Sequence, residues 1–397
     1  MTPIVYLNSN NNKSLLAFGA TDIVSCGVGD ALNSVNRFIN KHAGAYLFGY
    51  LGYDLKNEIE VLSSGNNDNI GFPDLFFFRP KYVVEINENI STYKQGKKTD
   101  ATEKFIRDFF SNQKADISPI PISLKERISK ETYFNRINEL KKHLQSGDVY
   151  EITFCQEFYA ENVTINPLVT YQKLNQKTNA PFSCYLELDG KYLLSGSPER
   201  FLRKKGRTLT SQPIKGTARR GKNPTEDKHI KEQLLSSKKE RAENVMIVDL
   251  VRNDLSRIAV KNSVRVEELL GVYSFPTVHQ LISTVSAEHK NNIDFKDIIK
   301  ALFPMGSMTG APKISAMKLI EQYEDFKRGL FSGTVGYIEP NGDFDFNVII
   351  RSILYNSATN YISCPVGGAI TIQSDKKEEY EECMLKVAAM MQILNGE

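Results

Sequence analysis

Residues 182–217 read FSCYLELDGKYLLSGSPERFLRKKGRTLTSQPIKGT, and this stretch decides the fold class. Strand-type runs at Phe182 to Leu188, Tyr192 to Ser195 and Thr208 to Pro213 follow one another through turns such as Ser197-Pro198-Glu199, with no helix between them. A doubly wound nucleotide-binding sheet would interleave a helix between successive strands. The expected class is therefore α+β with antiparallel strands.

The same stretch holds two candidate chemical groups. Most lysines are solvated surface charges. Lys215, however, stands between the apolar Ile214 and Gly216-Thr217, a setting for an amine held out of water. Burial disfavours an ammonium and is expected to lower its pKa towards the range in which the amine attacks carbon. Glu199, in the turn after the apolar Lys191-Tyr192-Leu193-Leu194, is placed to give a proton to a departing hydroxyl.

Downstream, the pattern predicts a long helix from about Asp227 to Val251, another from Ala311 to Gln322 and a last one from Lys376 to Leu394. Strands are expected at Gly333 to Glu339, Phe344 to Tyr355 and Thr359 to Ile372. Glu240 and Glu243 lie three apart on the first of these helices, as do Glu379 and Glu382 on the last, so each pair shares one helix face. Such pairs are commonly solvated. Here Glu243 runs into Val245-Met246-Ile247-Val248 and Glu382 into Cys383-Met384-Leu385, so both should point partly inward. Four converging carboxylates would need a cation, and an all-oxygen set suits magnesium.

Three further segments carry residue patterns suited to binding. Gly306-Ser307-Met308-Thr309-Gly310-Ala311-Pro312-Lys313 is a Gly-rich approach to a helix whose backbone N–H groups suit a carboxylate, but it lacks the nucleotide-binding P-loop pattern. Gly367-Gly368 inside a strand implies close approach by a ligand or another backbone. Arg351, within the apolar Asn347-Val348-Ile349-Ile350-Arg351-Ser352, needs a buried anion. His279, by contrast, reads more simply as a satisfied core group.

Upstream of residue 182 the pattern is consistent with this class. A capping signature at Ser129-Lys130-Glu131-Thr132 opens a helix ending near Gly147, and a strand is expected at Tyr150 to Glu157. Residues 1 to about 115 read as short strands followed by a helix at Thr102 to Ser111. Pro119-Ile120-Pro121 then suggests a boundary between an N-terminal lobe (1–122) and a catalytic region (123–397).

Composition excludes several classes. The 397 residues are 41% hydrophobic, with 50 basic against 47 acidic residues and a net charge of +3. No basic stripe interleaved with aromatics points to nucleic acid. The five cysteines are scattered and never in C-x-x-C spacing, against a disulfide framework or thiolate metal site. No signal-peptide pattern opens the chain, and no apolar run approaches the roughly 18 residues that cross a bilayer. A cytoplasmic protein, with neither a membrane nor nucleic acid as partner, is expected.

Taken together, the segments Ser195 to Phe201, Pro213 to Arg220, Ala242 to Leu255, Phe303 to Lys313, Arg328 to Tyr337, Phe346 to Arg351 and Gly367 to Lys386 resemble the chorismate-utilising enzymes. That family contains anthranilate synthase component I, aminodeoxychorismate synthase component I, isochorismate synthase and salicylate synthase. Gly49-Tyr50-Leu51-Gly52-Tyr53-Asp54 and Pro73 to Pro80 are similar to its weaker N-terminal signatures. The resemblance implies two packed antiparallel sheets with helices outside. It also implies a magnesium ion bridging the ring carboxylate of chorismate to Glu243 and Glu382, with Glu240 and Glu379 acting through water.

By the same resemblance, Tyr337, Arg351 and the Gly367-Gly368 backbone would hold the enolpyruvyl carboxylate. Thr309 and Gly310 would belong to the substrate site, Lys386 would sit at the acidic end of the substrate, His279 would line the ring, and Glu199 would be the general acid. At the position of Lys215 most of the family carries alanine. Lysine there resembles the aminodeoxychorismate synthase component I branch, in which the amine adds to the ring and is then displaced by ammonia. The nearest alternative branch is anthranilate synthase component I, and a silent chorismate-binding partner is a third reading. The water-activating lysine of the isochorismate and salicylate enzymes aligns near Glu151. No cysteine sits in a G-x-C-x-G setting, so ammonia is expected from a separate glutamine amidotransferase subunit.

Overall fold

The computed structural model describes residues 2–11, 13–87, 90–111, 121–276 and 278–396. Most of the linker expected at Pro119-Ile120-Pro121 lies outside them. The strand pairings among them are antiparallel and join every strand into one hydrogen-bonded network. The fold is α+β, as residues 182–217 imply.

The two sheets implied by the resemblance are two layers of that one network. One layer runs from Arg265–Ser274 through Val278–Glu288, Thr208–Gln212, Arg200–Lys205, Phe344–Asn347 and Thr334–Ile338 to Leu47–Leu51. The other runs from Ile4–Asn8 through Phe182–Leu188, Lys191–Ser197, Ser352–Asn356 and Tyr361–Ile370 to Glu151–Ala160. Two long strands, Ser14–Cys26 and Leu75–Asn87, pair with each other and serve both layers. Their register breaks between Ala20 and Asp22, beside Gly19 at φ +66°, where an irregularity lets a strand bend.

Burial follows strand alternation. Cys155 faces the core between the layers with Phe48, Phe76, Leu202, Phe346, Leu193 and Leu354. Its neighbour Phe154 faces the other way, under helices Lys130–Ser146 and Lys376–Leu394, against Tyr133, Cys383 and Val387. Strands Ile4–Asn8 and Leu47–Leu51 pair with Phe182–Leu188 and Thr334–Ile338, so the N-terminal residues are woven into the sheet of the catalytic region.

Two expected elements are each broken in two. The helix expected over 227–251 is Pro224–Ser236 followed by Lys238–Ser256. Between them Ser237 adopts extended ψ 116°, and its side chain accepts from Glu240 N, capping the second helix. The strand expected over 344–355 is Phe344–Asn347 and Ser352–Asn356, interrupted where Arg351 takes φ +50°. Helix Lys130–Ser146 keeps its expected ends: Ser129 accepts from Thr132 N, and Gly147 closes it at φ +82°.

Candidate active site

Lys215 is delivered by a bulge. In strand Ile214–Arg219, Ile214 pairs with Ile282 but Thr217 with Gln280, so Lys215 and Gly216 together oppose Leu281. Gly216 takes φ +96°, and a Cβ there would lie 3.0 Å from Glu240 Oε2 and Leu281 Cδ1. An extra residue with a left-handed glycine re-aims its neighbour's side chain, here towards a pocket between the sheet and the two glutamate helices. Asn244 Nδ2 donates to the carbonyls of Lys215 and Leu281, fixing the bulge.

The buried Lys215 Nζ lies 2.8 Å from Glu151 Oε1. Its pKa is not lowered as the sequence reading expected. Burial is the largest influence and does push it down, but the carboxylates of Glu151, Glu243 and Glu199 outweigh it, and the net shift is upward. The lysine rests as an ammonium.

Glu199 lies in the same pocket, buried, and accepts from Ser307 Oγ at 2.6 Å. Its turn is fixed by Ser197, whose Oγ donates to Val348 O and accepts from Glu199 N. Burial pushes the Glu199 carboxyl up to about 7, against the opposing pull of Ser307 and Lys215. A carboxyl poised there is matched to proton donation near neutral pH.

The pocket also collects carboxylates from both helices. Glu240, Glu243 and Glu382 line it, while Glu379 is fully buried behind. The expectation that Glu243 points inward agrees with its burial, but Glu379, not Glu382, is the buried member of the second pair. Burial raises the Glu243 carboxyl to about 8 and raises Glu240 and Glu379 as well, with Glu382 adding like-charge repulsion to both of the latter. Burial pushes Glu382 up, but Lys386 Nζ at 2.5 Å, with Lys239 and Lys215, outweighs it and the net shift is downward.

This set fits a hard cation. Among the described residues Glu243 Oε1 and Glu379 Oε2 are buried without hydrogen-bond partners, and Gly368 leaves room, since a Cβ there would sit 3.3 Å from Glu379 Oε2 and 3.5 Å from Glu382 Oε1. Lys239 meets the other Glu379 oxygen at 2.6 Å. Among the described residues, no three acidic groups already stand together in metal-holding geometry.

Arg351 lines the same pocket, and among the described residues no ion pair or hydrogen bond engages its guanidinium. Burial lowers its pKa against the opposing field of Glu382. A half-buried guanidinium without a partner has the chemistry to receive an anion. Beside it run Gly367 and Gly368, and Lys386 Nζ donates to Gly367 O at 2.7 Å. A Cβ at Gly367 would strike Phe154 O at 2.3 Å, so this position requires glycine.

Besides Glu379, four expected site residues are not brought to this pocket wall. His279 is fully buried, with Nδ1 against Ser274 Oγ and Nε2 against Asp227 Oδ1, both at 2.9 Å. Tyr337 stacks on Phe48 and lines a second pocket with Arg200 and Asp345. Thr309 Oγ1 donates to Met305 O, and Gly310 pairs with Ile152. Conversely, Glu151, Thr153, Ser307 and Lys239 belong to the site and were not among the candidates. The one available signal was Glu151, a carboxylate opening a strand buried nearly throughout.

A family model described as chorismate binding enzyme matches residues 3–392. The chain belongs to the chorismate-binding enzyme family. It is 33% identical over 348 residues to aminodeoxychorismate synthase component 1 of Escherichia coli strain K12, covering 87% of this chain and 76% of that protein. It is also 33% identical to anthranilate synthase component 1 of Thermus thermophilus, covering 86% and 76%. The crystal structure of anthranilate synthase component I from Streptococcus pneumoniae superposes with a TM-score of 0.83 at 26% identity, covering 96% of this chain and 92% of that one. The chain is thus a chorismate-utilising enzyme with the anthranilate synthase component I fold. No helix among the described residues is long and apolar enough to cross a membrane.

Proposed function

We propose that this enzyme is component I of an aminodeoxychorismate synthase, converting chorismate and ammonia to 4-amino-4-deoxychorismate for 4-aminobenzoate and folate biosynthesis. The observation that carries the reading is Lys215, a nucleophile candidate facing the same pocket as Glu199 and Arg351. Arg351 and the Gly367-Gly368 backbone would receive the enolpyruvyl carboxylate.

Glu199 would protonate the 4-hydroxyl, which leaves as water when the C4–O bond breaks. The Lys215 Nζ lone pair would form a bond to ring carbon 2 while the ring double bonds shift towards carbon 4. Ammonia adding at carbon 4 would then break the C2–N bond and return the lysine. The ammonia would come from a glutamine amidotransferase subunit. Glu243 and Glu382 would hold magnesium, with Glu240 and Glu379 acting through water. The ion would neutralise the carboxylate cluster and bind the ring carboxylate of chorismate.

The second reading is anthranilate synthase component I, favoured by the equal identity to the Thermus enzyme. Purified protein given chorismate, magnesium and an ammonium salt decides between them by the mass of its product. Aminodeoxychorismate supports the first reading, and anthranilate with pyruvate overturns it. Glutamine as sole nitrogen source should give product only after an amidotransferase subunit is added.

A further inference from the structure

An ammonium has no lone pair, so a nucleophilic Lys215 must first lose a proton, and its burial keeps bulk water from receiving it. Four carboxyl groups from four elements act on its Nζ: Glu151 at the start of strand Glu151–Ala160, Glu243 on helix Lys238–Ser256, Glu199 in the turn before strand Arg200–Lys205, and Glu382 on helix Lys376–Leu394, which is itself paired with Lys386. Glu199 is occupied as the proton donor to the hydroxyl, and Glu243 faces the cation set. Glu151 alone is free to accept, and it is also in contact, with Oε1 2.8 Å from Nζ.

The Glu151 side chain has no other commitment. It is wholly buried, and among the described residues neither oxygen has a partner in hydrogen-bond geometry, the Lys215 ion pair being its polar contact. Its backbone is held firmly: Ala311 pairs with Glu151, and Gly310 at φ +150° packs so tightly that a Cβ there would lie 2.2 Å from Glu151 O. Thr153 Oγ1, at 3.5 Å, is the other polar neighbour of Nζ.

We propose that Glu151 is a positioning residue that holds Lys215 Nζ in place and takes its proton when the amine is required. This rests on the reading of Lys215 as the nucleophile. The step moves one proton from Nζ to a Glu151 carboxylate oxygen, turning an ammonium–carboxylate pair into a neutral amine and a neutral acid. Net charge of the Lys215–Glu151 pair is zero before and after, and the proton returns when the lysine is released. At rest the surrounding carboxylates hold Lys215 as an ammonium, so it is restrained until substrate arrives.

The test uses full-length protein and two readouts, in wild type, Glu151→Gln and Glu151→Asp. The first is carbamoylation of Lys215 by cyanate as a function of pH, read by peptide mass without substrate. Wild type should label only at alkaline pH, whereas Glu151→Gln should label at least about one pH unit lower, since burial then acts with less opposition. The second readout is ammonia-dependent turnover, where Glu151→Gln should lose about tenfold or more in kcat with KM for chorismate within about threefold. Glu151→Asp, which retains the acceptor, should keep part of kcat and label much as wild type does. An unchanged labelling profile, or wild-type kcat, in Glu151→Gln would overturn the proposal. Turnover by Lys215→Ala would instead remove the nucleophile reading, leaving the labelling shift as evidence of the pair itself.

Discussion

Ser307 Oγ donates to Glu199 Oε1 at 2.6 Å, in a pocket where burial nonetheless holds that carboxyl up to about 7. The hydrogen bond favours the charged form and burial the neutral one, and burial wins. Because the pKa is raised, the proton is retained below about 7 and lost as pH rises through it. Infrared difference spectra of wild type minus Glu199→Gln should show a carboxylic acid carbonyl band near about pH 6 that fades by about pH 8. Ser307→Ala should move that midpoint higher. No band at the lower pH would remove Glu199 as the acid.

The four helix glutamates should separate by role. Glu243→Gln and Glu382→Gln should each sharply raise the magnesium concentration required for activity, since each removes a charged oxygen from a site with few of them. Glu240→Gln and Glu379→Gln should do less, as groups acting through water tune a metal more than they hold it. Magnesium titrations of activity check this ordering, and equal effects at all four positions would contradict it.

Arg351 offers a test that separates a substrate anchor from a structural ion pair. Removing one member of a buried structural pair costs about 3–5 kcal/mol. Among the described residues Arg351 has no such partner, and burial disfavours its charge. Arg351→Met should therefore leave the melting temperature without ligand unchanged or higher. It should weaken chorismate binding by about tenfold or more, the loss of charge-assisted hydrogen bonds. A lowered melting temperature with unchanged affinity would reverse the assignment.

The fold class was legible because strands 182–188, 191–197 and 208–212 keep local β patterning between turns. The last helix was legible to the residue. What local pattern could not show was decided at single positions: Ser237 dividing one helix into two, and Arg351 interrupting a strand at positive φ. In the site, Lys215 and Glu199 were visible as chemical types in unusual settings. The direction of the lysine's pKa was not, because it depends on Glu151, which lies 64 positions away along the chain and is brought within 2.8 Å only by the fold. Tyr337 and His279 show the converse: matching a motif did not bring their side chains to the pocket.

The central claim is that Lys215 becomes covalently attached to the substrate. Wild-type protein mixed with chorismate and magnesium, without ammonia or glutamine, should be quenched in acid, digested and weighed. The account predicts that the peptide containing Lys215 gains the mass of chorismate less one water, and that this adduct disappears when ammonium is added before the quench. An unmodified Lys215 peptide, from enzyme that forms aminodeoxychorismate once ammonium is supplied, would contradict it.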